Sequence, residues 1–451
     1  MKTFKKILGA SIATLILLFA LVLMVWERPP ELIRIGASYA AKIVCSNVFL
    51  ANRDPTEVLT TDVQAPGHPL LKLMRIDVDR KLGIVRAGLL GFIGGGLAVA
   101  RPDVGCAVMP DGRLATARTM PQLQPKPLPG EGSLGRDLSF IVPALQEVIA
   151  DNSLAGPGMR AIVVLNKGHL VAERYARGFD RDTPQLGWSM TKSVTAGLIG
   201  LLVKDRRLAL EQSAGLTGAA REGITIADLM SMTSGLQFNE GYGAVSDVTR
   251  MLYLETDMAA FAGGEPRAYP AGEVWSYSSG SAVILSRTFQ HAVGSDSVHF
   301  VRTRLFGPLG MKSAVMETDE AGTFVGSSYM YATPRDWARY GQLLAQDGVW
   351  EGQEILPRGY VAMMASPVAA SGGEYGHGMV WRWATHGDKP GVNPDAGFGI
   401  PDDTFWMSGH DGQFVAIIPS RQVVIVRMGL TPAREHYQPQ PLVRAVLDAT
   451  P

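Results

Sequence analysis

The chain has 451 residues, of which 46% are hydrophobic and 19% are charged. This composition is typical of a folded globular protein and excludes an intrinsically disordered one. The length exceeds the usual size of one domain, so two regions or one large domain with an extension are expected. Because 42 basic residues balance 42 acidic ones, no net positive charge indicates a nucleic-acid partner.

The first 29 residues are predicted to form a membrane anchor. Lys2, Lys5 and Lys6 precede an uncharged run from Ile7 to Trp26, and a helix of about 20 residues spans the hydrocarbon core of a bilayer. The run ends without the small-x-small site of a cleaved signal peptide, which makes cleavage the less favoured alternative. Because positive residues before a span stay in the cytoplasm, we expect a single pass through the cell (inner) membrane, with the rest of the chain on the periplasmic side.

A second apolar stretch, from Leu82 to Ala100, contains Arg86 and several glycines. Glycine-punctuated runs of this kind are typical of buried strands and turns, although a second membrane span is the alternative. The only two cysteines, Cys45 and Cys106, lie on either side of the stretch. After a single span both would lie in an oxidising compartment, where they can form a disulfide. Two free buried thiols are the other interpretation.

A proline-rich segment from Pro121 to Ser133 predicts a linker or domain boundary. With the anchor, it divides the chain into three parts. Residues 1–29 are the anchor, residues 30–130 are an extension of unknown role, and residues 131–451 are the main domain.

The main domain has β-rich ends and a helical middle. One hairpin is predicted around a turn at residues 166–168 and another around a turn at residues 419–421, because apolar alternating runs flank both turns. Between them lies a mostly helical stretch from Ser189 to about Leu344. The pattern predicts an α/β (α+β) fold in which both chain ends build one sheet and a helical subdomain is inserted between them.

The stretch GWSMTKSVT, residues 187 to 195, places a serine three positions before a lysine at the start of an apolar helical pattern. Residues three apart share a helix face, so Ser189 and Lys192 are expected to lie together. Serine becomes a nucleophile when a neighbouring base removes its proton. The N–H groups at a helix start also favour the negative charge that develops on an attacked carbonyl. Taken alone, however, the pair is better explained as a serine cap beside an exposed lysine.

Two later stretches contain further motifs that favour a catalytic interpretation of Ser189 and Lys192. PAGEVWSYSSGSAVIL presents Tyr277 and Ser279 just before another apolar helix, and WMSGHDGQFVAIIP places His410 and Gly412 at the start of a strand. In this order the three elements resemble the S-x-x-K, Y-x-N or Y-x-S, and K-T-G or H-x-G motifs of the serine β-lactamase and penicillin-binding-protein superfamily. The branch that the chain resembles most contains esterases, amidases and 6-aminohexanoate-dimer hydrolase. The resemblance implies a β-lactamase-like antiparallel sheet flanked by helices, preceded here by the transmembrane helix.

The resemblance also implies catalytic roles. Ser189 would attack the carbonyl of an ester or small amide and form an acyl-serine intermediate, which water then hydrolyses. Lys192 would lie beneath it as a charge or a proton acceptor, and Tyr277 would exchange protons with the nucleophile and the leaving group. Which of the two is the general base stays open at this stage.

Substrate-binding residues are implied by the same motifs. The backbone N–H groups of Ser189 and Gln413 would form the oxyanion hole, while Ser279, His410 and Gly412 would line the substrate site. His410 stands where penicillin- and D-alanyl-peptide-binding relatives generally have a lysine, and a mostly neutral imidazole would hold a substrate carboxylate poorly. An ester or a small amide is therefore expected rather than a β-lactam.

The expected partner is a small-molecule ester or amide, with the membrane contacted through the N-terminal helix. No metal and no cofactor are predicted, because the eight histidines include no pair with zinc-ligand spacing. Two alternatives stay open. One is a D-alanyl-peptide hydrolase or β-lactamase, and the other is a non-catalytic, membrane-tethered binding protein. The oligomeric state is not predicted.

Overall fold

A computed structural model of the chain describes residues 29–115, 140–218, 221–384 and 392–450. Its strands, numbered in chain order, are β1 (Met74–Asp79), β2 (Ile84–Leu89), β3 (Ile93–Arg101), β4 (Gly105–Val108), β5 (Met159–Asn166), β6 (His169–Tyr175), β7 (Gln185–Leu186), β8 (Val315–Met316), β9 (Met330–Ala332), β10 (Val349–Trp350), β11 (Gln353–Glu354), β12 (Phe405–Gly409), β13 (Gln413–Ile418) and β14 (Val423–Gly429).

The α-helices are numbered in the same way. They are α1 (Glu31–Phe49), α2 (Pro55–Val58), α3 (Pro143–Ala150), α4 (Asn152–Ala155), α5 (Met190–Lys204), α6 (Ile226–Met230), α7 (Asp247–Leu254), α8 (Met258–Gly264), α9 (Ser279–Val293), α10 (Ser297–Val301), α11 (Pro334–Ala345), α12 (Tyr360–Ala365) and α13 (Gln440–Ala449).

Both ends of the main domain build one five-stranded sheet, in the order β12-β13-β14-β5-β6. Every neighbouring pair in it is antiparallel. The two predicted hairpins are β5–β6 and β13–β14, and the helical insertion from α5 to α12 connects β6 to β12 with short strands among its helices. The predicted mixed α/β fold with an antiparallel sheet is therefore confirmed.

Alternate side chains of the central sheet enter two different cores, as the two-residue period of a strand requires. On one face, Val163 of β5 and Val424 of β14 pack in the same core as Trp337 of α11. On the other, Val164 and Ile425 belong to a core that includes residues of α3 and α13. Helices thus cover both faces, which explains why β13 and β14 are buried along their whole length.

The N-terminal extension folds as a helix on a second sheet. Helix α1 packs across an antiparallel four-stranded sheet of order β1-β2-β3-β4. The apolar stretch from Leu82 to Ala100 forms most of β2 and β3, so its interpretation as strands is confirmed and the second membrane span is wrong. No helix within the described ranges is both long enough and apolar enough to cross a membrane. The predicted anchor and the proline-rich segment lie outside the described residues.

A disulfide stabilises the extension internally, and an ion pair connects the extension to the main domain. Cys45 of α1 and Cys106 of β4 form a disulfide, so the interpretation of these cysteines as two free thiols is wrong. Lys42 of α1 forms a buried ion pair with Glu317, which directly follows β8 in the main domain. Glu317 also accepts hydrogen bonds from Ser46 at 2.8 Å and from the backbone N–H of Cys106 at 2.6 Å. Helix α1 is therefore fixed against the main domain.

Candidate active site

Ser189 stands on a sharp turn between β7 and α5. The turn passes through Gly187, where a Cβ atom would lie 2.2 Å from the ring of Trp337. It then passes through Trp188, whose φ of 48° falls in the left-handed region that a large side chain rarely adopts. Ser189 directly precedes Met190, the first residue of α5, and its hydroxyl makes no capping hydrogen bond to the helix. The Ser189 hydroxyl therefore does not serve as a helix cap.

Lys192 is completely buried one helical turn further on. Its ammonium nitrogen Nζ lies 3.1 Å from the Oγ of Ser189, 3.0 Å from the Oγ of Ser279 and 3.1 Å from the backbone carbonyl oxygen of Ser327. The explanation of the motif as a capping serine beside an exposed lysine is therefore wrong. Burying a polar group costs free energy unless the group is hydrogen-bonded. Lys192 meets this requirement, because each of its three N–H groups has an acceptor when the amine is charged.

Glu240 decides which way the hydroxyl of Ser279 points. Its carboxylate accepts the backbone N–H of Ser279 at 2.8 Å and the Ser279 hydroxyl at 2.5 Å. Because the Ser279 hydroxyl donates its one proton to Glu240, its oxygen can only accept from Lys192. Glu240 could not be predicted from the sequence, since an acidic residue in a glycine-containing loop is ordinarily solvated.

Two of the three contacts of Lys192 therefore require an N–H donor on the lysine. The third contact, with Ser189, can run in either direction. A charged lysine donates to all three oxygens, whereas a neutral lysine donates to Ser279 and Ser327 and accepts the hydroxyl proton of Ser189 through its lone pair. Both the charged and the neutral amine of Lys192 can therefore make all three hydrogen bonds. A group that takes up a proton and later returns it needs hydrogen-bond partners in both states. Ser327 contributes only a carbonyl, so no side-chain pattern could have revealed it.

Tyr277 lies beside the same lysine. The Nζ of Lys192 is 4.7 Å from the centre of the Tyr277 ring. The ring stacks on Trp381 at 5.5 Å with an angle of 27° between the planes, and it meets the edge of Tyr375 at 5.9 Å. Lys192 therefore contacts both Ser189 and Tyr277, and the structure brings the first two predicted motifs together.

The third motif packs against the turn that carries Ser189. A Cβ atom at Gly409, the last residue of β12, would lie 2.5 Å from the carbonyl oxygen of Gly187. The side-chain amide of Gln413 donates to the carbonyl of Leu186 at 3.0 Å. These contacts place the start of β13 next to the nucleophile. Gly412 contacts another part of the chain, since its carbonyl accepts a hydrogen bond from Arg427 at 2.7 Å.

His410 lies at the rim of the site between two aromatic rings. Its ring centre is 5.8 Å from that of Trp188 and 5.1 Å from that of Tyr242. Its Nδ1 is 2.9 Å from a carboxylate oxygen of Asp411. Burial lowers the pKa of His410, but the hydrogen bond and charge of Asp411 outweigh burial, so that the pKa is raised above its ordinary value. The imidazole is therefore protonated more readily than the sequence led us to expect, although Asp411 then balances its charge.

Within the ranges that the structure describes, no group of three or more His, Cys, Asp or Glu side chains could hold a metal ion. The polar side chains that the structure brings together at this site are Ser189, Lys192, Ser279 and Glu240, with the ring of Tyr277 beside them.

The model of the β-lactamase family matches residues 149–440. The chain belongs to the β-lactamase family. It is 22% identical over 332 residues to the 6-aminohexanoate-dimer hydrolase of Paenarthrobacter ureafaciens, covering 68% of this chain and 81% of that one. Proteins of this family are hydrolases, and the superfamily resemblance drawn from the three motifs is confirmed.

Two solved structures show the same fold. A Bacillus anthracis protein named as a 6-aminohexanoate-dimer hydrolase superposes with a TM-score of 0.55 at 24% identity, covering 72% of this chain and 87% of that one. A Bacteroides dorei DSM 17855 protein named as a β-lactamase superposes with a TM-score of 0.53 at 20% identity, covering 67% of this chain and 97% of that one. The family match begins at residue 149, so the extension formed by α1 and β1–β4 lies before it.

Proposed function

We propose that the protein hydrolyses esters or small amides through an acyl-serine intermediate, with Ser189 as the nucleophile. The hydrogen bonds of Lys192 carry this proposal. They hold the amine against the Ser189 hydroxyl and satisfy it with and without its third proton. A protein that only binds its ligand has no need of a buried lysine in this arrangement, which argues against the non-catalytic alternative.

We propose the following sequence of proton transfers for these groups. Neutral Lys192 takes the Ser189 proton as Oγ forms a bond to the substrate carbonyl carbon, and the backbone N–H groups of Ser189 and Gln413 hold the resulting oxyanion. The bond to the leaving group then breaks, Tyr277 gives the leaving group a proton, and Lys192 restores the proton of Tyr277. In the second half, a water molecule attacks the acyl carbon and passes a proton to Lys192 and Tyr277. The bond between the acyl carbon and Oγ of Ser189 then breaks, Oγ takes back the proton, and the carboxylic acid leaves.

The third motif favours an uncharged substrate. When His410 is protonated, its charge is balanced by Asp411 at 2.9 Å, so the pair offers a substrate carboxylate no net positive charge. Penicillins and D-alanyl peptides carry such a carboxylate. We therefore assign them as poor substrates and prefer uncharged esters and small amides.

A serine-directed fluorophosphonate tests the proposal on the full-length protein in membranes. We expect one label, on Ser189, that disappears in Ser189→Ala together with hydrolysis of p-nitrophenyl acetate. Ser276→Ala is the matched control, because Ser276 is exposed and lies close to the site in the chain. Absence of labelling in the wild type would support the binding protein. Turnover of a chromogenic cephalosporin at the ester's rate would support the β-lactamase alternative.

We also propose that the catalytic domain faces the periplasm, held to the inner membrane by residues 1–29. The Cys45–Cys106 disulfide supports this location, since disulfides persist in oxidising compartments. Cells quenched with an alkylating reagent should yield protein with no alkylated cysteine until it is reduced. Alkylation of both cysteines without reduction would place the domain in the cytoplasm.

A further inference from the structure

An apolar cavity of about 140 Å³ adjoins the candidate active site, and much of its wall comes from the N-terminal extension. Trp188, the neighbour of Ser189, and His410 of the third motif both line it. Helix α1, the segment of residues 67–74, the loop of residues 242–244 and helix α7 supply the other lining residues. The residues of the extension that line it include Leu32, Ile35, Tyr39, Leu70, Leu71 and Met74.

The size and lining of the cavity define what fits. An apolar cavity of about 150 Å³ accommodates benzene, so this one has room for about six carbon atoms. No lysine, arginine, aspartate or glutamate of the described chain lines it. His410 lines it, but any charge on its ring is balanced by Asp411 at 2.9 Å. A charged end group would therefore lose its hydration there with little compensation. The cavity therefore fits a short apolar group and disfavours a charged one.

The position of Tyr277 indicates which half of the substrate enters. In the proposed mechanism Tyr277 protonates the leaving group, and its ring lies among Trp381 and Tyr375. None of these three residues lines the cavity, whereas Trp188 does. With the leaving group held beside Tyr277, the cavity that Trp188 lines is left for the acyl group.

We propose that this cavity binds the acyl group of the substrate, and that the enzyme selects uncharged, apolar acyl groups of about six carbon atoms. The inference rests on the proposed acyl-serine mechanism and adds to it the substrate class. It also gives the extension a role. Because the Lys42–Glu317 ion pair and the Cys45–Cys106 disulfide fix α1 in place, its side chains form a permanent wall of the binding site.

The first test is a series of p-nitrophenyl esters with acyl chains of increasing length. The full-length protein is assayed in membranes or liposomes, because detergent tails would compete for an apolar cavity. We expect kcat/KM to rise about three- to fourfold for each added methylene up to roughly six carbons, and to level off or fall beyond them. The 6-aminohexanoyl ester, which ends in an ammonium group, should react at least about tenfold more slowly than the hexanoyl ester.

Two arms of the same test separate the sources of an acyl group. Short esters that dissolve as monomers represent a soluble substrate, and vesicles of dipalmitoyl phosphatidylcholine represent a membrane lipid. We expect hydrolysis of the soluble hexanoyl ester only. Comparable hydrolysis of the vesicle lipid would overturn the limit of about six carbons.

The second test alters the cavity itself. Ala244 is exposed and lies at the cavity wall, so Ala244→Trp narrows the cavity without burying a new side chain in the core. We expect it to reduce the ratio of hexanoate to acetate kcat/KM about tenfold. Ala370→Trp, at an exposed turn outside the cavity, should leave that ratio unchanged. Leu32→Ala enlarges the cavity and should move the optimum to longer chains.

The outcomes separate this inference from the mechanism on which it rests. If acetate hydrolysis depends on Ser189 but chain length and Ala244→Trp have no effect on the ratio, the acyl cavity is wrong and the serine mechanism stands. If Ser189→Ala retains acetate hydrolysis, the mechanism is wrong whatever the chain-length profile shows.

Discussion

Glu240 fixes Ser279 by accepting both its backbone N–H and its hydroxyl. The oxygen of Ser279 is thereby left to accept from Lys192. The carboxylate thus acts on the lysine through one intervening hydroxyl, and it touches neither the nucleophile nor the lysine itself. We regard Glu240 as a positioning residue, and its contribution can be measured separately from the reacting groups.

Glu240→Gln should lower kcat about tenfold and leave KM nearly unchanged. Glutamine offers one acceptor oxygen in place of two, so one of the hydrogen bonds with Ser279 is lost, at a cost of about 1–1.5 kcal/mol. Glu273→Gln, at an exposed position before the second motif, is the control. An unchanged kcat in Glu240→Gln would show that Glu240 does not position the reacting groups.

Lys192→Arg asks whether the lysine works as a base or only as a fixed charge. Arginine keeps the positive charge but does not give up a proton in proteins. We expect kcat and the rate of fluorophosphonate labelling to fall by about 10²–10⁴. Because arginine is larger than the buried site of Lys192, Lys192→Met is assayed beside it and both are checked for thermal stability. Lys312→Arg, an exposed lysine, should behave as the wild type. Full activity in Lys192→Arg would transfer the role of base to Tyr277.

Asp411→Asn should lower the pKa of His410. The pKa is raised in the wild type because the hydrogen bond and charge of Asp411 overcome the opposing effect of burial. Asparagine tolerates the left-handed backbone at this position, where φ is 60°, so the turn should survive. A group with a raised pKa in the folded protein stabilises it at low pH and loses that effect as the pH rises through the raised value.

The stability difference between wild type and Asp411→Asn should therefore be present at about pH 5 and vanish toward about pH 8. NMR titration of protein labelled in its histidine rings measures the pKa directly, with the exposed His291 as the internal reference. A His410 titration that does not move in the variant would show that the contact with Asp411 is absent in solution.

Lys42→Ala should destabilise the protein by about 3–5 kcal/mol, because it leaves the carboxylate of Glu317 buried without its cation. The side chains of this pair are only 2% and 0% exposed. Arg358→Ala removes one partner of an exposed pair with Glu354, whose side chains are 89% and 39% exposed. It should cost no more than about 0.5 kcal/mol. Chemical denaturation of both variants checks the contrast, and equal losses would contradict it.

Local periodicity in the sequence was sufficient to predict much of the fold. Alternating apolar residues around turns at residues 166–168 and 419–421 predicted β5–β6 and β13–β14, because a strand repeats every two residues. The three-residue spacing of Ser189 and Lys192 placed them on one helix face for the same kind of reason. Glycines between Leu82 and Ala100 indicated strands in place of a membrane span. Tyr277 and Gln413 came from the order of the three motifs and not from any local period.

The sequence by itself thus determined the class of fold, the family and the residue types of the chemistry, since these follow from periodicity and from spacing along the chain. Only the tertiary structure could join Glu240, Ser279 and the carbonyl of Ser327 to Lys192, because these groups come from separate loops and helices and a carbonyl leaves no mark in the sequence. The cavity beside Trp188 was likewise decided by packing. From the sequence, an apolar residue of α1 is predicted to belong to the hydrophobic core. Only the positions of its neighbours in the structure show that part of its surface lines a cavity.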